Sequence, residues 1–505
     1  MKSLSSGSRG QHQLRAGCSS SSTSSMRLPS SLRASSSFPR RKHMTRRHAQ
    51  AEAEAEAEAT EKPTQRSVAA EVAAEVAEVE AEAKGAVEKK EKFDARAFRR
   101  SLNKTGRYVR KPTHDKDSKD LMDEHGVGYS STGIVALMRD NGYTHQIGDV
   151  TIKLAESYGF CWGVERAVQM AYEARRAYPG KQLHITNEII HNPSVNKRLE
   201  QMGVKFIEDR GENLGKDFSE VEEGDVCILP AFGASVHEMK ILNDKRVQIV
   251  DTTCPYVSKV WNSVETHTRR EHTSIIHGKW AHEETIATAS FAGTYVIVKN
   301  MPEASYVADY ILNGGDKQEF LEKFKNAISE DFDPDTMLDN VGIANQTTML
   351  KGETMEIGKL LEKTMLTKYG PAELANHFVL MDTICDATQT RQDAMYHLVG
   401  QQGTDEAVDM ILVVGGYNSS NTCHLQEIAE EYKIPSFWLD TAARVGPGNE
   451  TEWMNAHLEM QKAENWLPEG KITIGVTSGA STPDKVVEDI LDKVFELKVD
   501  GYQPL

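Results

Sequence analysis

From about residue 150 onward, short apolar runs alternate with longer amphipathic stretches. The apolar runs are rich in Val and Ile, end at turn residues, and include VCILP, VQIVD, TSIIH, YVIVKN, VGIANQ, FVLMDT, MILVVGG and KITIGVTSG. The stretches between them repeat apolar residues at helical spacing, as in VERAVQMAYEARRAY, ETMEIGKLLEKTM and VVEDILDKVFEL. Strands that alternate with helices form parallel sheets, because each crossover brings the chain back in the same direction. The sequence therefore predicts an α/β fold with parallel sheets.

The length of 505 residues suits two to four domains. We expect three successive α/β domains that share the alternating pattern. Residues 316–340 break the pattern and are expected to form a surface insert in the second domain. The predicted divisions are 1–50 (a transit peptide), 51–92 (an acidic low-complexity linker), 93–150 (an N-terminal extension), 151–254, 255–382 and 383–490 (the three α/β domains) and 491–505 (a C-terminal tail).

The first fifty residues differ in composition from the rest of the chain. They contain ten Lys or Arg, fifteen Ser and no Asp or Glu. A basic, serine-rich segment without acids is typical of organelle transit peptides, and it lacks the apolar core of a secretory signal. Because Ser outnumbers Arg, we expect import into a plastid, with the chloroplast stroma as the location. A disordered basic tail is the alternative.

The remainder of the chain is strongly acidic. The full sequence has a formal charge of −16, and removal of the first fifty residues leaves −26, because 75 acidic residues then face 49 basic ones. Nucleic-acid binding depends largely on neutralising phosphates, so this charge argues against such a partner. No apolar run reaches the roughly 18 residues of a membrane-spanning helix. Six cysteines in so long a chain do not indicate a disulfide framework.

Three cysteines occupy the same sequence context. Cys161 in ESYGFCWGVERAVQM, Cys254 in IVDTTCPYVSKV and Cys385 in LMDTICDATQTRQDAM each follow a strand-like run and precede a helical one. The last two share Asp-Thr-x-Cys. In parallel sheets such loops lie at the carboxyl ends of strands, where ligands bind, and a helix N-terminus stabilises a thiolate. A pseudo-threefold arrangement would bring the three thiols to one point, as metal ligands or nucleophiles.

Burial in the core is the alternative for each of these thiols. The chain has no CxxC pair that would indicate zinc or a ferredoxin-type cluster, although Pro255 directly after Cys254 does match a habit of cluster-binding cysteines. The other cysteines lack the strand–Cys–helix context. Cys18 belongs to the transit segment, and Cys227 and Cys423 are expected to pack in the core.

Polar loops at other strand ends predict an anion site. His191 follows one strand, and His282 and Glu284 follow another. Two further loops place small polar residues before helices: Ser419, Ser420, Asn421 and Ser481. Hydroxyl and backbone N–H groups at a helix start bind phosphate well, although simple N-capping explains either loop alone. The His-x-Glu pair is interpreted as an acid–base pair rather than a zinc site. No GxGxxG or GxxxxGK[ST] motif indicates a dinucleotide or ATP site.

Eight segments, in this order, resemble the 4-hydroxy-3-methylbut-2-enyl diphosphate reductase family. They are GFCWGVERA, EIIHNPSVNKRLEQMGV, DTTCPYVSKV, HEETIATA, NQTTM, DTICDATQTRQ, NSSNTCHLQEIA and TSGASTPD. The resemblance extends from about residue 150 to 490 and is greatest to the plastid form. It implies a trefoil of three α/β domains with parallel sheets around a central 4Fe–4S iron–sulfur cluster.

The resemblance also implies roles for individual residues. Cys161, Cys254 and Cys385 match the cluster ligands, which would leave one iron free for the hydroxyl oxygen of the substrate. Glu284 matches the acid that protonates the departing hydroxyl group. The other matched positions are substrate contacts at His191, His282 and Thr347 and a diphosphate cradle at Ser419, Ser420, Asn421 and Ser481.

The implied reaction is a reductive dehydroxylation. Two electrons and two protons convert 4-hydroxy-3-methylbut-2-enyl diphosphate into isopentenyl and dimethylallyl diphosphates, the last step of the methylerythritol phosphate route to isoprenoids. Because the chain has no nucleotide motif, the electrons must come from another protein, and the family implies a ferredoxin. Ferredoxins are acidic, so the basic stretch FRRSLNKTGRYVRK is a candidate docking site.

The chain departs from the bacterial members at two places. Phe232 stands in the loop PAFGAS where they have a histidine, so this position cannot donate a hydrogen bond to the diphosphate. The segment ESYGF before Cys161 differs from an arginine-containing bacterial version. Two other functions remain open from the residues alone. They are a cluster-dependent hydro-lyase, which would need no reductant, and a non-enzymatic diphosphate-binding module with structural cysteines.

Overall fold

The computed structural model describes residues 94–211, 215–381 and 383–504. The predicted transit peptide at 1–50 and linker at 51–92 lie outside these residues. The described residues form the helices Ala95–Lys104, Lys116–Glu124, Ile134–Asp140, Trp162–Ala177, Pro193–Gln201, Val236–Asp244, Pro255–Arg269, Glu283–Ser290, Met301–Asn313, Lys317–Lys323, Pro334–Met337, Lys351–His377 (broken at Gly370), Asp386–Val399, Ser420–Glu431 and Asp484–Lys498. None of these helices is long and apolar enough to cross a membrane.

The first sheet consists of parallel strands and includes the N-terminal extension. Its strands, in spatial order, are Tyr108–Val109, Gln248–Asp251, Val226–Leu229, Leu183–Ile185 and Val204–Phe206. Tyr108 lies opposite Ile249, and Val109 lies opposite Val250. The extension therefore supplies an edge strand of this sheet and is part of its fold.

The second sheet is also parallel. Its strands, in spatial order, are Phe378–Leu380, Val341–Asn345, Thr273–His277 and Tyr295–Val298. The two central strands are buried along their whole length, as expected where helices cover both faces of a parallel sheet. Beside this sheet, Trp261 stacks on Phe291 with their ring centroids 4.3 Å apart.

The third sheet is mixed, with parallel strands at its centre and antiparallel strands towards its edges. Its strands, in spatial order, are Val445–Gly446, Glu450–Met454, Ser436–Leu439, Met410–Val414, Ile472–Ser478, Val150–Leu154 and Thr144–Ile147, and Met460–Glu464 pairs with Glu450–Met454. The predicted α/β fold with parallel sheets is confirmed by these three sheets.

One strand lies in a different sheet from the one that its position along the chain suggests. The sequence pattern places residues 151–154 in the first α/β segment. Their strand, Val150–Leu154, instead pairs in parallel with Ile472–Ser478, with Ile152 opposite Ile474. The first and last strands of the α/β body therefore lie side by side in the third sheet. Hydrophobic periodicity identifies a strand but not its partner, which here is distant along the chain.

The insert at 316–340 is anchored to the body by aromatic side chains. Phe320, Phe324 and Phe332 are buried in the same core cluster as the strands of the second sheet. Ile328 forms an isolated bridge with Val296 of that sheet. The insert therefore extends the core of the second sheet, in addition to covering its surface.

Candidate active site

Each of the three cysteines caps the start of a helix. The helices that follow Cys161, Cys254 and Cys385 are Trp162–Ala177, Pro255–Arg269 and Asp386–Val399. The strands that precede them, Val150–Leu154, Gln248–Asp251 and Phe378–Leu380, belong to the third, first and second sheets, respectively. The predicted strand–Cys–helix context is confirmed, and each sheet delivers one thiol.

Loops from all three sheets line one cavity of about 100 Å³. Its lining includes every residue that the sequence singles out for the site: Cys161, His191, Cys254, His282, Glu284, Thr347, Cys385, Ser419, Ser420, Asn421 and Ser481. The fold therefore brings all of these residues together, and the predicted trefoil of α/β domains is confirmed.

A glycine gives the thiols room to approach one another. An ideal Cβ on Gly163 would lie 2.5 Å from the sulfur of Cys254 and 4.0 Å from the sulfur of Cys161. Among the described residues, no group of three or more His, Cys, Asp or Glu side chains is placed to hold a metal ion by itself. The three thiols instead surround a shared cavity. That arrangement fits a polynuclear cluster, in which each thiolate binds a different iron.

The electrostatics of the thiols also fit such a cluster. Burial raises the pKa of the Cys254 thiol to about 12, and the thiols of Cys161 and Cys385 add to this rise. Burial likewise raises the pKa of Cys385, again with a contribution from Cys161. Three thiolates in one buried cavity repel each other, so their ionisation requires a compensating positive charge. The iron ions of a cluster would supply that charge.

The N-terminal extension fixes the loop that carries Cys254. The fully buried carboxylate of Asp251 accepts a hydrogen bond from the backbone N–H of Thr253 at 2.9 Å and forms an ion pair with Arg110 at 3.0 Å. Tyr108 donates its hydroxyl hydrogen to the same carboxylate. The aspartate of this Asp-Thr-x-Cys motif therefore ties the turn to the extension, and the cysteine begins the next helix.

An arginine joins the other two cysteine loops. Arg391 lies in the helix that begins after Cys385. Its guanidinium group donates hydrogen bonds to the three consecutive carbonyl oxygens of residues 158–160, at 3.2, 2.6 and 2.9 Å. These carbonyls directly precede Cys161. The contact therefore couples the position of one thiol to the helix that carries another.

Glu284 is a buried carboxyl group held in a fixed orientation. The backbone N–H of Thr347 donates to Oε1 at 2.6 Å, and the Thr347 hydroxyl donates to Oε2 at 2.9 Å. Burial raises the pKa of Glu284 to about 7, although these two hydrogen bonds act in the opposite direction. A carboxyl group with a pKa near neutrality retains its proton in many molecules and can release it to a bound ligand.

Two histidines present unpartnered nitrogens to the cavity. Nδ1 of His282 accepts a hydrogen bond from the backbone N–H of Glu284 at 3.1 Å, so the neutral ring carries its proton on Nε2. Burial, followed by the charges of His191 and Lys279, lowers the pKa of His282 and keeps the ring neutral. Nδ1 of His191 contacts the carboxylate of Glu188 at 3.1 Å. Both Nε2 atoms are buried without a partner among the described residues.

Phe232 packs against these histidines. Its ring stacks on His191 with the centroids 4.7 Å apart and an interplanar angle of 11°, and its edge contacts His282. At this position the resemblance implies a hydrogen-bonding histidine in bacterial members. In this chain the same position instead fixes the plane of the His191 ring.

Ser419, Ser420, Asn421 and Ser481 form a group that we call the hydroxyl cradle. It lies at the start of the helix Ser420–Glu431, which Ser419 caps. Oγ of Ser420 and Nδ2 of Asn421 are buried and have no partner among the described residues. The backbone N–H of Ala480 donates to Oδ1 of Asn421 at 3.0 Å. The hydroxyl of Ser481 donates to the backbone carbonyl of His191 at 3.2 Å. Unpartnered donors at a helix start are suited to an anion.

Sequence patterns do not identify three residues that position the thiols: Gly163, Arg110 and Arg391. The Asp-Thr-x-Cys motif is the signal that points to Asp251, because an aspartate directly after a buried strand requires a partner. The partner itself, Arg110, lies far away along the chain. Nothing in the local sequence predicts its contact or that of Arg391.

Comparison with known proteins places the chain in a family. The family described as LytB protein matches residues 152–495. The chain belongs to the LytB protein family. One relative is the chloroplastic 4-hydroxy-3-methylbut-2-enyl diphosphate reductase of Botryococcus braunii, which is 63% identical over 82% of this chain and 82% of that protein. The 4-hydroxy-3-methylbut-2-enyl diphosphate reductase of Crocosphaera subtropica is 60% identical over 81% of this chain and 99% of that protein.

A solved structure shares the fold of this LytB chain. It is the E-1-hydroxy-2-methyl-but-2-enyl-4-diphosphate reductase from Plasmodium falciparum, with a TM-score of 0.51. The match covers 69% of this chain and 89% of that chain at 22% sequence identity. At that identity the likeness supports the fold alone.

Replacement of Gly163 by Ala should reduce iron–sulfur loading without unfolding the protein. The added Cβ would lie 2.5 Å from the sulfur of Cys254, so that thiol must move. We expect a stability loss of about 1–3 kcal/mol, typical of overpacking, and a clear fall in iron content after anaerobic reconstitution. Gly352→Ala is the control, because nothing lies within 4 Å of its Cβ position. Wild-type iron content in Gly163→Ala would contradict the assigned thiol packing.

Replacement of Arg110 by Met should destabilise the protein, because it leaves the buried carboxylate of Asp251 without its cation. We expect a loss of about 2 kcal/mol in the free energy of unfolding, measured by denaturant titration. Arg96→Met, at an exposed position of the same extension, is the matched control and should change little. If the two variants unfold at the same denaturant concentration, the ion pair between Arg110 and Asp251 does not stabilise the protein.

Proposed function

We propose that this chain reduces 4-hydroxy-3-methylbut-2-enyl diphosphate to isopentenyl and dimethylallyl diphosphates, the last step of the methylerythritol phosphate route. One observation carries the proposal. Three helix-capping thiols, a carboxyl group with a raised pKa and a cradle of unpartnered donors line a single cavity. This set combines what the reaction requires: a redox centre, a proton source and a diphosphate site.

Cys161, Cys254 and Cys385 would hold a 4Fe–4S cluster. When bound, such a cluster supplies electrons and the Lewis acidity of an iron that has no protein ligand. The protein contributes three helix N-termini, whose dipoles stabilise the negative charge of the thiolates. Cys385 is buried, and Cys161 and Cys254 are half-buried.

Glu284 supplies the proton for the departing oxygen. The bond between carbon and the hydroxyl oxygen breaks, and the oxygen leaves as water after it accepts this proton. Two electrons and a second proton, which is added to carbon, complete either product, so the reaction balances. Thr347 holds both carboxyl oxygens and thereby directs the acid towards the cavity. The raised pKa of about 7 keeps a large fraction of the Glu284 carboxyl groups protonated at neutral pH.

The remaining polar residues bind the substrate. The Nε2 atoms of His191 and His282 have no partner among the described residues and are available to a ligand. At the start of the helix Ser420–Glu431, the hydroxyl and amide donors and the helix dipole favour the diphosphate group. Ser481, from the third sheet, closes the cradle beside His191.

Replacement of Glu284 by Gln should abolish turnover and leave the cluster in place. Gln keeps the size of the side chain but has no acidic proton, so we expect kcat to fall by about 100-fold or more. The assay measures both diphosphate products with reduced methyl viologen as the electron source. In the wild type, kcat should fall as the pH rises through about 7, because Glu284 then loses its proton. Turnover without any reductant would favour a hydro-lyase instead.

The proposed electron donor is a plastid ferredoxin, an acidic protein. Within the basic stretch of the extension, Arg99 is engaged with Glu265 at 2.5 Å and Arg110 with Asp251. The exposed cations on the helix Ala95–Lys104 are Arg96, Arg100 and Lys104. Their spacing of four residues places them along one face of the helix. We assign this face, the basic stripe, as the docking surface, and the composition of residues 1–50 supports the plastid location.

Charge reversal of the basic stripe should impair only the reaction with ferredoxin. In the triple variant Arg96→Glu, Arg100→Glu and Lys104→Glu, we expect kcat/KM for ferredoxin to fall by about tenfold or more at low salt. Turnover with methyl viologen should not change, because a small reductant needs no docking surface. Reversal of Lys359 and Lys363, exposed on a different helix, is the control. Unchanged ferredoxin-driven turnover in the triple variant would rule out this surface.

A further inference from the structure

A second, outer chamber of about 510 Å³ adjoins the active-site cavity. The two chambers share part of their lining, including His191, His282, Ser419 and Ser420. These shared residues are the ones proposed to bind the substrate. The outer chamber therefore opens onto the diphosphate end of the cavity, on the side of the hydroxyl cradle.

Lys279 is the single Lys or Arg that lines either chamber within the described residues. The other donors at the cradle are neutral hydroxyl and amide groups, together with the His282 ring, whose pKa burial lowers. A diphosphate carries several negative charges at neutral pH. Enclosing such charges without a counter-charge is costly, and a helix N-terminus supplies only a partial one.

The backbone of Lys279 is hydrogen-bonded to the loop that holds Glu284. Its N–H donates to Oε1 of Gln346 at 3.1 Å, and the Thr285 hydroxyl donates to the same oxygen at 3.1 Å. Gln346 directly precedes Thr347, which holds Glu284. The side chain of Lys279 is half-buried, and no carboxylate within the described part of the chain forms an ion pair with its ammonium group. Glu427 is the carboxylate that feels this cation, since the charge of Lys279 helps to lower the pKa of Glu427. The cation is therefore held in place and only partly neutralised.

We propose that Lys279 binds the diphosphate group of the substrate and supplies the full positive charge at the mouth of the cavity. This inference rests on the proposed function, since it requires a substrate with a diphosphate. The ammonium group acts as a point charge, which suits phosphate oxygens without a fixed geometry. It also compensates for Phe232, which stacks on His191 and offers the diphosphate no donor.

The test compares Lys279→Met and Lys279→Arg with Lys299→Met. Lys279 and Lys299 follow neighbouring parallel strands, but Lys299 is exposed and lines neither chamber. With methyl viologen as the reductant, Lys279→Met should raise KM about tenfold, the effect of one lost charge-assisted contact, and leave kcat within about twofold. Lys279→Arg should restore most of the affinity. The dependence of KM on salt should weaken in Lys279→Met.

A binding measurement separates this inference from the proposed reaction. Calorimetry with inorganic diphosphate should give a Kd about tenfold weaker for Lys279→Met than for the wild type, and an unchanged Kd for Lys299→Met. If the wild type binds diphosphate through Lys279 but reduces no substrate, the proposed function fails and the binding role stands. A wild-type Kd in Lys279→Met, or a fall in kcat with unchanged KM, would overturn the role of Lys279.

Discussion

The meeting of three helix N-termini at one buried cavity constrains the rest of this structure. Each is capped by a cysteine, and each follows a strand of a different sheet. Burial and the neighbouring thiols both raise the pKa values of Cys254 and Cys385, so ionisation of these thiols favours a positive group at the centre of the site. The loops are held from outside, where Arg110 pairs with Asp251 and Arg391 binds the carbonyls before Cys161. Packing of all three sheets thus serves to fix the positions of three sulfur atoms.

The two ends of the cavity also differ in their chemistry. One end contains the thiols and Glu284, a carboxyl group whose pKa burial raises to about 7. The hydroxyl cradle and the start of a helix lie where this cavity meets the outer chamber, which Lys279 lines. A substrate with a hydroxyl group at one end and a diphosphate at the other would be bound in a single orientation. The hydroxyl group would then face both the proton source and the thiols.

Much of the site was predictable from sequence because its residues share a local signature. Strand, cysteine and helix follow one another within a few residues at Cys161, Cys254 and Cys385, and the structure places all three on one cavity. Polar loops at other strand ends pointed to most of the remaining residues, and the resemblance to known reductases added Thr347. Long-range contacts were not predictable. The pairing of Val150–Leu154 with Ile472–Ser478 and the reach of Arg110 to Asp251 leave no local pattern, because pairing partners are selected by tertiary packing.

The most direct test of the central claim is the iron and acid-labile sulfide content of protein purified without oxygen. The account predicts roughly four iron and four sulfide ions per chain. It predicts their loss when Cys161, Cys254 or Cys385 is replaced by Ser, and their retention in Cys227→Ser, whose thiol lies buried in a strand of the first sheet. A colourless wild-type protein without iron and sulfide, or a full cluster in all three site variants, would contradict it.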